Sequence, residues 1–231
     1  VAFAVIVGKE VFGGTGMNIW NPALLSRAFV FFAYPSQISG DKIWIAGLSK
    51  GEGIIDGFSG ATPIEKEKAG LAIPSLQDMF LGLIPGSIGE TSTIAILIGA
   101  AILLFTGIAS WRIMLSVFAG GAAIGLLINR LAPEGSSMAL PFYYHFVMGG
   151  FAFGAVFMAT DPVTGSQTNS GKYVYGFLIG VFAVIIRVFN PGYPEGMMLS
   201  ILLMNTFAPL IDYVVVDRNI KRRLKRAALK Q

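Results

Sequence analysis

Residues 113–129 have the sequence IMLSVFAGGAAIGLLIN, which contains no charged side chain. A helix that crosses the hydrocarbon core of a bilayer needs about 20 mainly apolar residues, with roughly 17–25 as the usual range. Comparable apolar stretches lie near 91–108, 142–160, 173–190 and 196–216. Because backbone groups in lipid must be satisfied within the chain, we predict that these stretches are helices. The fold class is therefore an all-α polytopic membrane protein.

The composition supports this class. Hydrophobic residues make up 54% of the 231 residues and charged residues 13%, whereas soluble domains carry about 25% charged residues. We treat 1–231 as one membrane domain surrounded by lipid. The sequence contains no cysteine and a single histidine, His145, which excludes disulfides, thiol catalysis and a multi-histidine metal site within this chain. His145 follows Tyr143 and Tyr144, and we predict that it anchors its segment at the membrane interface.

The charge distribution predicts the orientation. Residues 217–231 hold seven Lys/Arg and one Asp next to the last apolar stretch, which indicates the cytoplasmic side. A basic tail can also bind nucleic acid, but this tail adjoins a membrane span, so we predict no nucleic-acid partner. Alternation then places 36–90, with four Lys and seven Asp/Glu, in a periplasmic loop.

Two Gly- and Asn-rich interruptions, at 13–22 and 161–171, adjoin apolar segments. The apolar run 28–33 is short and lies between Pro22 and Pro35, which favours a half-helix or re-entrant segment. Irregular backbone at membrane depth survives when it is buried in protein or lines a cavity, and paired interruptions are typical of inverted repeats. We favour a binding site at the first interruption. The second could equally be a cytoplasmic loop.

Glycines recur at a spacing of four in three successive apolar stretches. This spacing places both members of a pair on one helix face, where they allow close helix packing. We assign them to packing and to no chemistry; the pairs are Gly121/Gly125, Gly150/Gly154 and Gly176/Gly180.

The chain opens with VAFAVIVG, without a methionine or a positively charged leader. This is not the pattern of a signal peptide. We expect it to be the end of a span whose beginning is missing, so the chain would be the C-terminal part of a longer protein.

The most distinctive polar segment is DGFSGATP, residues 56–63. Glycine and small residues allow close approach of another backbone or an enzyme, and Pro63 disfavours a helical conformation at Thr62. The segment resembles the D-x-x-S-G-A-T acceptor motif for covalent flavinylation, in which the threonine carries FMN through a phosphoester. An ordinary Gly/Ser turn is the alternative. The motif consists of Asp56, Ser59, Gly60, Ala61 and Thr62.

Further runs extend this resemblance in order along the whole chain. On these runs the chain resembles the NqrB/RnfD family, whose members are membrane subunits of the sodium-pumping NADH:quinone oxidoreductases and of the Rnf complexes. The run AYPSQISG (33–40) and the basic tail favour the NqrB type. The matching runs are GKEVFGGTGMN (8–18), FFAYPSQISGD (31–41), IPGSIGE (84–90), MATDP (158–162), NPGYPEGMM (190–198) and NIKRRL (219–224).

The resemblance implies an inner-membrane subunit of a bacterial complex, and we expect an inverted-repeat, urea-transporter-like architecture. It implies covalent FMN on Thr62, non-covalent riboflavin, and electron passage to ubiquinone coupled to Na⁺ export. The implied partners are the other subunits of the reductase and a flavin transferase. Asn18 and Asn21 match family positions near the riboflavin. For Asn21 the alternative is to cap a half-helix that begins at Pro22.

Three acidic residues lie at or within span ends, namely Asp161, Glu195 and Asp212. An ionisable residue in a span is a functional candidate, and these carboxylates could mark a Na⁺ path. Salt bridges are the alternative, with Arg187 pairing Glu195 and Lys172 pairing Asp161. No catalytic acid or base stands out, which fits an electron relay. A flavin-free solute channel or transporter is the alternative from another class.

Overall fold

The computed structural model describes residues 1–14, 16–34, 63–68, 72–84, 86–87, 89–133, 140–190 and 195–229. The flavinylation motif at 56–62 lies outside these residues. The described residues form helices and no strand, which confirms the all-α class. The helices are α1 (Ala2–Ile6), a 3-10 turn (Glu10–Phe12), α2 (Pro22–Ala33), α3 (Pro63–Lys68), α4 (Leu76–Leu81), α5 (Thr93–Phe105), α6 (Trp111–Leu131), α7 (Tyr144–Val147), α8 (Phe151–Phe153), a π-helical turn (Gly154–Met158), α9 (Asn169–Phe189) and α10 (Met197–Ala228).

Three of these helices, α6, α9 and α10, are long and apolar enough to cross a membrane. They confirm the spans predicted near 113–129, 173–190 and 196–216. Helix α5 has 13 residues, a length of about 20 Å at 1.5 Å per residue. It is therefore shorter than the predicted stretch 91–108 and than the roughly 30 Å hydrocarbon core.

Helices α6 and α9 form the most extensive helix pair in the described part of the chain. A Cβ atom added to Gly120 would overlap the carbonyl oxygen of Phe177, and one added to Gly180 would overlap that of Val117. Each helix therefore presents glycine to the backbone of the other. This confirms the packing role predicted from the glycine spacing, and it extends that role to Gly120.

The prediction of one continuous span over 142–160 is wrong. The segment is divided into α7, α8 and the π-helical turn, with a break at residues 148–150. Gly149 has a φ of +59°, a left-handed conformation that glycine adopts without steric cost and that ends the helix. The interface role predicted for His145 is also wrong, because this residue is buried with 4% of its surface exposed.

Helix α10 is one uninterrupted element of 32 residues. The basic tail predicted to begin at 217 continues this helix as far as Ala228. Asp217 and Lys221 pair at 2.7 Å with the i, i+4 spacing. Both side chains are exposed, and such pairs contribute about 0.3–0.5 kcal/mol.

Candidate functional site

The predicted site residues fall at opposite ends of α9. Asp161 and Asp212 lie near the start of α9, and Glu195 follows its end after the segment 190–194. Helix α9 has 21 residues, so the two ends are about 30 Å apart at 1.5 Å per residue. The structure therefore does not bring the three acidic residues into one site.

Asn21 joins two of the predicted site residues. Its Oδ1 accepts hydrogen bonds from the backbone N–H groups of Ala23 (3.0 Å) and Leu24 (3.3 Å), so the capping role is confirmed. Its Nδ2 donates to Oδ2 of Asp161 at 3.3 Å. The residue matched to riboflavin and a residue assigned to the Na⁺ path are therefore direct neighbours.

The loop that precedes α2 is fixed against α10. Nδ2 of Asn18 donates to the carbonyl oxygen of Trp20 at 3.1 Å, and the indole Nε1 of Trp20 donates to Oγ1 of Thr206 at 2.9 Å. Asn18 is half-buried and uses only its Nδ2 group in these contacts. Its amide oxygen remains the acceptor that could meet a ligand.

A buried pair, Asn205 and Tyr175, completes this region and was missed by sequence reasoning. Their exposed fractions are 1% and 0%. The amide nitrogen of Asn205 donates to the Tyr175 hydroxyl oxygen at 2.6 Å, and its amide oxygen accepts from the Asn21 N–H at 3.2 Å. An asparagine in the middle of the apolar stretch 196–216 is the sequence signal that could have indicated this network.

The carboxylate of Asp161 is engaged by its own loop. It accepts from the backbone N–H of Val163 at 3.1 Å and from Oγ1 of Thr164 at 2.8 Å, besides Asn21. No ion pair with Lys172 is present within the described ranges. The salt-bridge alternative is thus not found for Asp161.

Asp212 closes the connection between the π-helical turn and α9. Its carboxylate accepts from Oγ of Ser166 (2.6 Å), Oγ1 of Thr168 (2.6 Å), and the N–H groups of Gln167 (2.7 Å) and Thr168 (3.0 Å). A carboxylate offers about four lone-pair positions, so these four donors occupy them. The geometry favours a clamp that holds the loop on α10 over a cation ligand.

We predict that Asp212→Asn destabilises the protein by about 1–2 kcal/mol, because donors that lose their acceptor keep their desolvation cost. The measurement is the thermal unfolding midpoint of the detergent-solubilised protein. Asp217→Asn is the matched control, since it removes an exposed carboxylate from the same helix. Equal midpoints for the two variants would contradict the clamp.

A second group of polar residues surrounds the break at 148–150. Oε2 of Glu195 accepts from the N–H of Gly150 at 3.0 Å. A Cβ added to Gly150 would lie 3.1 Å from Oε2 of Glu90 and 3.4 Å from Oε2 of Glu195, so both carboxyl groups face this glycine. A cavity of about 20 Å³ lies between them and Arg27, enough for roughly one water molecule. No metal-binding group of three His, Asp or Glu side chains occurs within the described segments.

The pKa of Glu195 is raised above its ordinary value. Burial of the carboxyl and the nearby Glu90 raise this pKa, while Arg187, the Gly150 N–H and Arg27 oppose the change. The region can therefore hold a proton at higher pH than a solvated carboxyl group.

The raised pKa predicts that stability depends on pH. The folded state binds the Glu195 proton more tightly than the unfolded state, so stability is fully present at low pH and is lost as pH rises through the raised pKa. Glu195→Gln cannot ionise and should show a flatter profile. The measurement is the unfolding midpoint of both proteins from about pH 5 to pH 9, spanning the ordinary and raised carboxyl ranges. Parallel profiles would contradict this assignment.

Arg187 is buried beside this group, with 3% of its surface exposed. Its Nη1 donates to the carbonyl oxygen of His145 at 2.7 Å, and its guanidinium carbon lies 5.9 Å from the ring centre of Phe151. Its Nε and Nη2 groups have no hydrogen-bond partner among the residues that the structure describes. The predicted ion pair with Glu195 is not formed within 4 Å among the described contacts.

Helix α3 begins at Pro63, directly after Thr62 in the chain, and packs on the same break. Ile64 is 1% exposed and forms a hydrophobic cluster with Met79, Ile84 and Met148. A Cβ added to Gly149 would lie 2.5 Å from Cδ1 of Ile64 and 3.0 Å from both carboxylate oxygens of Glu195. The residue that follows the flavinylation motif by two positions is therefore anchored beside Glu195.

The chain matches a known family model over residues 1–221, and that model is described as the NQR2, RnfD, RnfE family. It is 56% identical over 234 residues to the NqrB subunit of the Na(+)-translocating NADH-quinone reductase of Chromohalobacter salexigens, covering 99% of this chain and 55% of that protein. The same-named protein of Azotobacter vinelandii is 54% identical over 233 residues, covering 98% of this chain and 56% of that protein.

The chain spans about half the length of the curated relatives it matches. The family model covers nearly all of its residues, including both ends of α9 and the break at 148–150. This integral membrane chain therefore belongs to the NQR2, RnfD, RnfE family.

Proposed function

We propose that this chain acts as the NqrB subunit of a Na⁺-translocating NADH:quinone reductase. It relays electrons toward ubiquinone, and this transfer is coupled to Na⁺ export. The observation that carries the proposal is identity above half with proteins of that name over nearly every residue of the chain. The proposed location is the bacterial inner membrane, with 36–90 periplasmic and the basic end of α10 cytoplasmic.

We infer that FMN is attached covalently to Thr62. The D-x-x-S-G-A-T motif supports this assignment, as does the anchoring of the adjoining α3 through Ile64. A hydroxyl group next to a fixed helix is suited to hold a cofactor at one place. FMN would supply the one- and two-electron redox chemistry, while this chain positions the cofactor and sets the charge around it.

For the non-covalent riboflavin we propose Asn18 as the principal contact. Asn21 already uses its oxygen to cap α2 and its nitrogen to bind Asp161. Asn18 uses its nitrogen for Trp20, which leaves its oxygen to accept from a flavin ring edge.

For the Na⁺ path we propose Glu195 and Asp161, with Asp212 holding the loop that carries Asp161. Carboxylate oxygens suit small hard cations. The cavity of about 20 Å³ beside Glu195 and Glu90 supports a place for one small occupant at the end of α9.

The proposal is tested by expressing the full-length chain with a flavin transferase and examining the denatured protein for flavin fluorescence in a gel. A fluorescent band with quinone-reductase subunits as co-purifying proteins is the expected result. Ferredoxin-linked partners would instead indicate an RnfD-type subunit. A dark band would overturn the flavin assignment and favour a channel or transporter.

A further inference from the structure

Arg187 is the most unusual side chain in the described structure, because it is both charged and almost fully buried. A buried N–H group without a partner costs about 1–3 kcal/mol, and more when the group is charged. The buried side chain has two such nitrogens, Nε and Nη2, on one edge of its guanidinium group. A guanidinium edge with two N–H groups is the geometry that binds two oxygens of one carboxylate or phosphate.

The carboxylates near Arg187 do not fill this role. Glu195 accepts from the N–H of Gly150, and Glu90 accepts from the N–H of Ser87 at 3.0 Å. Neither forms an ion pair with Arg187 in the described structure. The Nε/Nη2 edge is therefore left for an anion other than these two.

Arg187 and helix α3 contact the same short segment of the chain. The guanidinium group binds the carbonyl oxygen of His145 and lies against the ring of Phe151, while Ile64 lies against Gly149 between them. Glu67 of α3 also acts electrostatically on Arg187. A group attached to the residue that precedes α3 would therefore enter the chain's surface beside Arg187.

We propose that the Nε/Nη2 edge of Arg187 binds a phosphodiester, namely the one that links FMN to Thr62. This inference rests on the proposed function. Two parallel N–H groups would bind two phosphate oxygens, and the charge of the guanidinium group would balance the single negative charge of the diester. Arg187 is then a positioning residue, which fixes the phosphate end of the cofactor and limits where its ring can lie.

The experiment uses the full-length chain in its complex, matured with a flavin transferase and solubilised in a phosphate-free detergent. Intact mass first establishes that flavin is attached to the wild type and to each variant. The ³¹P NMR resonance of the diester is then assigned by its loss in Thr62→Val. We expect this resonance to shift in Arg187→Gln, which removes the charge and the paired N–H groups.

Arg187→Lys keeps the positive charge but replaces the paired N–H groups by one ammonium, so a smaller shift is expected even if the glutamine variant does not fold. Arg130→Gln is the matched control, because it removes an arginine from α6 at a distance from this group, and it should leave the resonance unchanged. An unshifted resonance in a folded, flavin-loaded Arg187 variant would overturn the inference and leave the flavin assignment standing. An Arg187-dependent phosphorus signal that persists in Thr62→Val would identify a lipid phosphate as the anion and overturn the flavin source. A wild type without flavin would refute the proposed function, and this inference with it.

Discussion

Replacing Thr62 by valine is expected to reduce covalent flavin on this chain from stoichiometric to undetectable. Valine has the shape of threonine and is also β-branched, so the backbone preference before Pro63 is retained. Only the hydroxyl group that would carry the phosphoester is lost. The anchoring of α3 through buried Ile64 is untouched, so the variant should fold with wild-type stability.

The measurement is intact mass, supported by fluorescence of the denatured chain in a gel. Thr62→Ser keeps a hydroxyl group and should retain flavin to the extent that the transferase accepts serine. Thr106→Val is the matched control, because it makes the same chemical change at an exposed helix end. Undiminished flavin mass on the Thr62→Val chain would move the attachment to another residue.

Gly180→Ala is expected to destabilise the helix bundle by about 3 kcal/mol or more, at or above the upper end of the usual overpacking range. The added Cβ would overlap the carbonyl oxygen of Val117 and lie 2.6 Å from the backbone nitrogen of Gly121. Both neighbours are backbone atoms, so relief requires α6 and α9 to move apart. Alanine gains about 1 kcal/mol in helix propensity over glycine, which is too little to offset this cost.

The measurement is the thermal unfolding midpoint of the detergent-solubilised protein, together with the yield of folded chain. Gly99→Ala on α5 is a suitable control, because its added Cβ would meet only the ring of Phe157. A side chain can rotate away where a helix backbone cannot. A Gly180→Ala protein as stable as the Gly99→Ala protein would show that the close contact of α6 and α9 is not required.

Local rules were sufficient for part of the fold. Asn21 followed by Pro22 predicts a capped helix start, and α2 begins there. Long apolar stretches predict α6, α9 and α10. The break at 148–150 could not be predicted in this way, because hydropathy averages over the segment and does not register the left-handed conformation of Gly149.

The candidate site was predictable in its residues but not in their partners. Composition identifies Asp212 as an acidic residue in an apolar segment, yet its partners Ser166 and Thr168 are more than forty positions away in sequence. The unpaired edge of Arg187 depends on which carbonyl and which ring the folded chain places against it. Such contacts are properties of the tertiary structure, and a single sequence does not contain them in any local pattern.

The length of α10 has a mechanical consequence. At 1.5 Å per residue its 32 residues extend about 48 Å, some 18 Å more than a bilayer core of about 30 Å. Drawing its basic end into lipid would cost about 2.5–3.5 kcal/mol for each arginine or lysine at the helix centre. The charges at one end thus act as a float that sets the vertical position of the other, where Gly196 lies against the backbone of Ala183 and carries Glu195 at a fixed depth.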